Sequence, residues 1–144
     1  MNPPRAVYRV YWFVHQGLRR LSGGRIGSRS ARGDRKGTLF IHTVGRKSAQ
    51  PRVNGLYYIV EGSNLIVVAS NAGADADPAW WLNLRAQPDA EVELSGQRRP
   101  VRARAATDDE AARLWPRLDV ANPDYATYRA EARRAIPIVI LEPR

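Results

Sequence analysis

The sequence has no cysteine and only two histidines, His15 and His42. Without cysteine there is no disulfide and no thiolate chemistry. Two separated histidines leave no Ser-His-Asp arrangement to single out. A metal site would have to rest on carboxylates, and these nowhere cluster at ligand spacing, so no metal is expected. No apolar run is long enough to cross a bilayer, and no small-residue cleavage site follows a clean apolar region. Neither a transmembrane helix nor a signal peptide is therefore expected. The phosphate-binding pattern GxxxxGK[ST] is absent, as are internal repeats. Acidic residues are scarce at the start of the chain. The first 36 positions hold Asp34 against nine bases, a net +8.

That imbalance divides the chain. The other 108 residues carry only +1, so the pI of about 10.8 belongs to an N-terminal arm. A nucleic-acid partner is not expected, because the body is nearly neutral and shows no aromatic-basic interleaving. The arm, residues 1–37, reads as a basic amphipathic helix and a linker. Val7, Val10, Tyr11, Val14, Leu18 and Leu21 recur at helical spacing, with Arg5, Arg9, Arg19 and Arg20 mostly elsewhere on the wheel. Two readings stay open. The helix packs on the body, or residues 4–21 lie on an anionic membrane surface with Tyr8, Tyr11, Trp12 and Phe13 at the lipid boundary. The expected location is cytoplasmic, on the inner face of the membrane in the second reading. Residues 22–37, rich in Gly, Ser and Arg, read as a linker or mobile loop.

The body, residues 38–144, is long enough to bury roughly 70% of its extended-chain surface. Its pattern predicts strands near 38–43, 52–60, 65–70, 90–95, 98–106 and 136–141. Ser95-Gly96-Gln97 marks a hairpin. Asp77 reads as an N-cap with Pro78 at the first helical position of a helix through Ala79–Arg85. Thr107 with Glu110 three residues later forms a capping box, opening a helix to about Asp119. A further helix opens at Asn122 or Pro123 and runs to about Arg134. Six short strands with helices between and after them predict a small, largely antiparallel barrel with peripheral helices.

Between the first two strands lies Gly45-Arg46-Lys47-Ser48-Ala49-Gln50-Pro51-Arg52. Arginine forks, a lysine charge, a hydroxyl and turn N–H groups suit a phosphate or carboxylate. An exposed basic hairpin tip is the plain alternative. Ser70-Asn71-Ala72-Gly73-Ala74 ends a strand in small residues that let a flat ring approach the backbone. Of Trp80 and Trp81, one is expected in the core and one at a surface or pocket wall. Tyr125 and Tyr128 resemble a mobile polar-aromatic wall, against which stands simple helix packing. His42 reads as a structural histidine, and Asp108-Asp109 belongs to the capping box. With no nucleophile, metal or acid/base pair, such a chain suits a cofactor that brings its own chemistry.

From Thr38 to Glu142 the chain resembles the deazaflavin-dependent nitroreductase family, actinobacterial proteins that use coenzyme F-420. The resemblance rests on four ordered motifs: His42 to Arg52; Val68 to Ala74; Pro78 to Pro88; and Pro123 to Tyr128 with Arg134 to Leu141. It implies an α+β, mainly β fold: a split β-barrel of the FMN-binding split-barrel type with peripheral helices, residues 38–144 being the coenzyme-binding domain. It implies that Arg46, Lys47, Ser48 and Arg52 hold the coenzyme phosphate and acidic tail. Val53, Asn54, Gly55, Leu56 and Tyr57 would line the ring. Val68, Ala69, Ser70 and Asn71 would offer backbone and hydroxyl contacts, and Ala79, Trp80, Trp81, Leu82 and Asn83 would close the other side. Tyr57, Ser70, Tyr125 and Tyr128 are the implied proton-donating or substrate-orienting groups. The implied reaction is hydride transfer to a small electrophile: an activated alkene, quinone or nitro compound. The alternatives are a non-catalytic barrel binding a fatty acid or the coenzyme, and a reductase using FMN. Ala49 and Ala72 stand where the family usually has glycine. Asn71 stands where lysine is common, and Asn122 where some members carry tyrosine.

Overall fold

The structure, a computed structural model, describes residues 30–144. The expected helix over 4–21 and its membrane contact lie outside the described residues. Six strands close into one antiparallel barrel: β1 (Gly37–Val44), β2 (Pro51–Glu61), β3 (Asn64–Val68), β4 (Asp89–Leu94), β5 (Gln97–Ala105) and β6 (Ile138–Pro143). Around the barrel the order is β1-β2-β3-β6-β5-β4. Three helices accompany them: α1 (Ala79–Ala86), α2 (Asp108–Ala121) and α3 (Asp124–Glu131). No helix of the described residues is long and apolar enough to cross a membrane.

Period-two alternation sorts the side chains into two cores. Leu39, Ile41, Tyr58, Leu65, Val67, Val92, Val101, Val139 and Leu141 fill the barrel. Helix α1 adds Trp80, Trp81 and Leu84 to that core. Both tryptophans are 6% exposed, which corrects the expectation of one in the core and one at a wall. The opposite face of β2, β3 and β6 carries Ile59, Ile66, Val68, Ile138 and Ile140 outward, against Leu114, Leu118, Tyr125 and Tyr128 of α2 and α3. Strands buried on both faces read as continuous apolar runs, as Ile136 to Leu141 does.

The turns follow their chemistry. Ser95 and Gly96 both have positive φ, the conformation of a tight two-residue hairpin. Thr107 Oγ1 accepts from Glu110 N at 3.2 Å, and Glu110 Oε1 accepts from Thr107 N at 2.9 Å, so the capping box is formed. Asp77 does not cap α1. The residue before the helix is Pro78, and the Asp77 carboxylate pairs with Arg134 at 2.6 Å, a stronger partner than backbone N–H groups. Helix α3 ends at Glu131, where the backbone of Ala132 turns extended. The described part of the expected mobile loop is tied down. Ala31 N donates to the Tyr58 hydroxyl at 3.0 Å, and Asp34 accepts from Arg117 Nε at 2.8 Å.

Candidate functional site

The β1–β2 turn is closed by two backbone bonds, Gly45 N to Gln50 O and Ala49 N to Gly45 O, both 2.8 Å. Ser48 Oγ folds back under the turn. It accepts from Gln50 N and from Arg52 Nη2, each at 3.2 Å. A Cβ at residue 45 would fall inside van der Waals contact with that hydroxyl, so glycine makes room for it. Arg46 is held from the other side by the Asn83 side chain of α1. Among the described residues, Arg46, Lys47 and Arg52 have no carboxylate partner. Arg102, Arg113, Arg129 and Arg134 each have at least one, and Arg104 and Arg117 have two. Cationic charge is therefore left uncompensated where backbone N–H groups and a hydroxyl are also concentrated.

Next to the turn the barrel splits. The β2–β3 ladder runs only from Ile59↔Ile66 to Glu61↔Asn64, although β2 begins at Pro51. Strand β3 meanwhile pairs with β6 up to Val68↔Ile138. Above Ile59 the two strands part. Asn54 and Leu56, on the inward register opposite Ile41 and Leu39, are only half-buried there.

The far lip of the split is the chain after β3. Asn71, Ala72 and Gly73 have consecutive positive φ values of 46°, 53° and 81° within a single 3-10 turn. The Asn71 side chain donates to Ala76 O at 3.0 Å. Arg134 clamps this segment. Its Nη2 donates to Ala69 O and Ser70 O, both at 3.1 Å, its Nε to Ala74 O at 2.9 Å, and its Nη1 to Asp77. A nearly buried guanidinium, 15% exposed, thus joins four points of one loop.

The residues singled out by sequence distribute as follows. Arg46, Lys47, Ser48 and Arg52 sit together on the turn. Val53, Gly55 and Tyr57 face outward on β2, and Asn54 and Leu56 inward, so one ring face cannot meet all five side chains. The Lys36 ammonium lies 4.3 Å from the centre of the Tyr57 ring. Val68 and Ala69 are buried, and Ser70 is half-buried at the loop's start. Ala79 is exposed and Leu82 half-buried on α1, whereas Trp80 and Trp81 belong to the core. Tyr125 and Tyr128 form an edge-to-face pair, centroids 6.5 Å apart, inside the outer core. At 7% and 3% exposed they are not a mobile wall, because α3 packs both rings against the barrel. Sequence reasoning gave Arg134 no role of its own. Its partners lie 57 to 65 residues away, so no local signal marks it.

The acids with lowered pKa lie elsewhere. Arg104 holds the Glu110 carboxyl down at about 2, and Arg113 and Arg102 lower those of Glu61 and Asp89. A cavity of about 520 Å³ opens at the opposite mouth of the barrel, among Tyr58, Val60, Leu65, Leu94, Val101 and Leu141.

Residues 12–143 match a family model described as F420H(2)-dependent quinone reductase. A Mycobacterium tuberculosis protein provisionally named an F420H(2)-dependent quinone reductase is 43% identical over 107 residues, covering 74% of this chain and 90% of that protein. A solved F420-H2-dependent reductase superposes with a TM-score of 0.67 at 29% identity, over 79% of this chain and 97% of its own. A structure described as a domain-swapped dimer gives 0.69 at 27% identity, over 90% and 97%.

Proposed function

The chain belongs to the F420H(2)-dependent quinone reductase family, and from that premise we propose that it uses reduced F420 to reduce a small electrophile, with quinones as the substrate class. The single observation that carries the reading is the β1–β2 turn, where Arg46, Lys47 and Arg52 stand without carboxylate partners around the Ser48 hydroxyl that Gly45 makes room for. That donor set fits a coenzyme with a phosphate and an acidic tail. When bound, the coenzyme supplies a hydride in a two-electron step.

Everything else falls to the chain. Lys47 and Arg52 attract and hold the anionic groups, with the Ser48 hydroxyl beside them. The split above Ile59 admits a flat ring between β2 and the loop after β3. Asn54 and Leu56 are assigned to one side of it, and Ala79 and Leu82 to the end covered by α1. Backbone groups of Val68 and Asn71 supply polar contacts, those of Ala69 being bonded to Pro137 and Arg134. A rigid lip suits this work, because reacting groups must be held in register for hydride transfer. Reduction of a quinone carbonyl also needs a proton. Ser70, at the start of the loop after β3, is assigned to donate or relay it, whereas Tyr57 faces the other side of β2. Tyr125 and Tyr128 act less directly, by backing the Asn71–Gly73 turn that Tyr128 abuts.

The test is oxidation of F420H2 with a quinone, a nitroaromatic compound and an activated enone in parallel. Fastest turnover on the quinone supports the substrate class. Turnover on the nitro compound or enone alone overturns the class but not the coenzyme. Lys47→Ala with Arg52→Ala is expected to weaken binding of oxidised F420 about tenfold or more in a fluorescence titration, through loss of two charge-assisted contacts. Unchanged affinity would remove the turn from the site.

A further inference from the structure

Asn83 is the buried polar side chain of α1, 4% exposed, and its amide reaches the cationic turn. Its Oδ1 accepts from the Arg46 backbone N–H at 3.1 Å and from Arg46 Nη1 at 3.3 Å. Its Nδ2 donates to Thr43 Oγ1 at 3.2 Å, and Thr43 is itself buried. Arg46 Nε and Nη2 find no acceptor among the described residues. On the reading of the turn as the seat of the acidic coenzyme, we propose that Asn83 is the positioning residue of that seat: it fixes the Arg46 guanidinium without neutralising it.

The argument is one of charge and order together. A free arginine on a surface turn samples many rotamers and must give them up to meet an anion. One held through Nη1 has already given up most of that freedom, so its remaining N–H groups meet a ligand at less cost. A carboxylate at position 83 would hold it equally well, as carboxylates hold Arg102, Arg104 and Arg129 here. It would also cancel the charge that the ligand is to meet. Asparagine gives the same acceptor geometry with no charge. The bond to the Arg46 N–H fixes the entry to the turn as well as the side chain. Asn83 can do this because Trp80, Trp81 and Leu84 anchor its helix in the barrel core.

The experiment is Asn83→Asp, which preserves shape. One carboxylate oxygen keeps the Arg46 contacts, and the other accepts from the Thr43 hydroxyl, which rotates to donate. The expected result is an unfolding midpoint equal to the parent's or higher, with oxidised F420 bound about tenfold more weakly. The salt dependence of binding is also expected to shrink, since one cation is now paired internally. Arg46→Ala alone should cost a similar factor and should add little to Asn83→Asp, the signature of a shared effect. Parental affinity in a folded Asn83→Asp protein overturns the proposal. If that variant does not fold, Arg46→Lys reads the same property, because it keeps the charge but loses the fork that reaches Asn83. Weakened binding there supports the proposal, and parental affinity overturns it. If Lys47→Ala with Arg52→Ala also leaves affinity untouched, the seat itself has been misassigned. If that pair weakens binding while Asn83→Asp does not, only the positioning role falls.

Discussion

Residue 72 is an alanine in a backbone conformation that favours glycine. Its φ of 53° puts Cβ close to the following carbonyl, as does the φ of 58° at Ala49. Resemblance pointed to both positions as places where glycine is usual, and the left-handed backbone is the physical reason. Such strain costs about 1–2 kcal/mol per alanine, partly offset because alanine restricts the unfolded chain. Ala72→Gly is therefore expected to stabilise the protein by up to about 1 kcal/mol, read as a higher unfolding midpoint in urea. An equal or lower midpoint would mean that the neighbouring Arg134 bonds already absorb the strain. Asn71, also left-handed, suits that conformation better than most residues, and its side chain closes the loop onto Ala76. Charge is distributed with similar specificity. Most arginines of the barrel wall meet carboxylates, whereas those of the β1–β2 turn do not.

Helix α2 is held at its first turn by Glu110, which answers both the backbone of Thr107 and the fork of Arg104. Two Arg104 bonds at 2.6 and 2.8 Å hold its carboxyl at about 2, below the ordinary 4.5. A carboxyl depressed in the folded state adds stability at pH values above its unfolded value. That stability is lost as pH falls from about 4.5 toward 2. Glu61, lowered chiefly by Arg113, acts in the same direction. The expected outcome is that the urea midpoint falls through this window in the parent protein and falls less steeply in Glu110→Gln. Parallel acid limbs would assign the loss to other carboxylates. The cap of this helix was legible because its signal is local, a threonine and a glutamate three residues apart. The start of α1 was misread at Asp77 because the competing partner, Arg134, lies 57 residues on.

At the scale of the whole molecule, two cores share one sheet. The inner core fills the barrel and reaches α1 beside the cationic turn, while the outer one carries α2 and α3. Leu114 is fully buried in the outer core, so Leu114→Ala should cost about 2–5 kcal/mol in unfolding free energy. Affinity for oxidised F420 at a temperature where the variant stays folded should be close to parental. A large loss of affinity would show that the outer layer shapes the split directly. The sequence by itself determined the strands, the capping box, the cationic turn and, by resemblance, the barrel and its coenzyme. Each of these depends on contacts within a few residues or on motifs in a recognisable order. Alternation, turn chemistry and charge need no partner from elsewhere to be read. Only the tertiary structure decided that Trp80 and Trp81 both enter the core, that Tyr125 and Tyr128 are packed rather than mobile, and that β2 and β3 part above Ile59. It alone joined Asn83 to Arg46 and Arg134 to the loop after β3. The closure of the barrel brings residues 37 to 65 positions apart into hydrogen-bonding distance, and no periodicity along the chain encodes which of them meet.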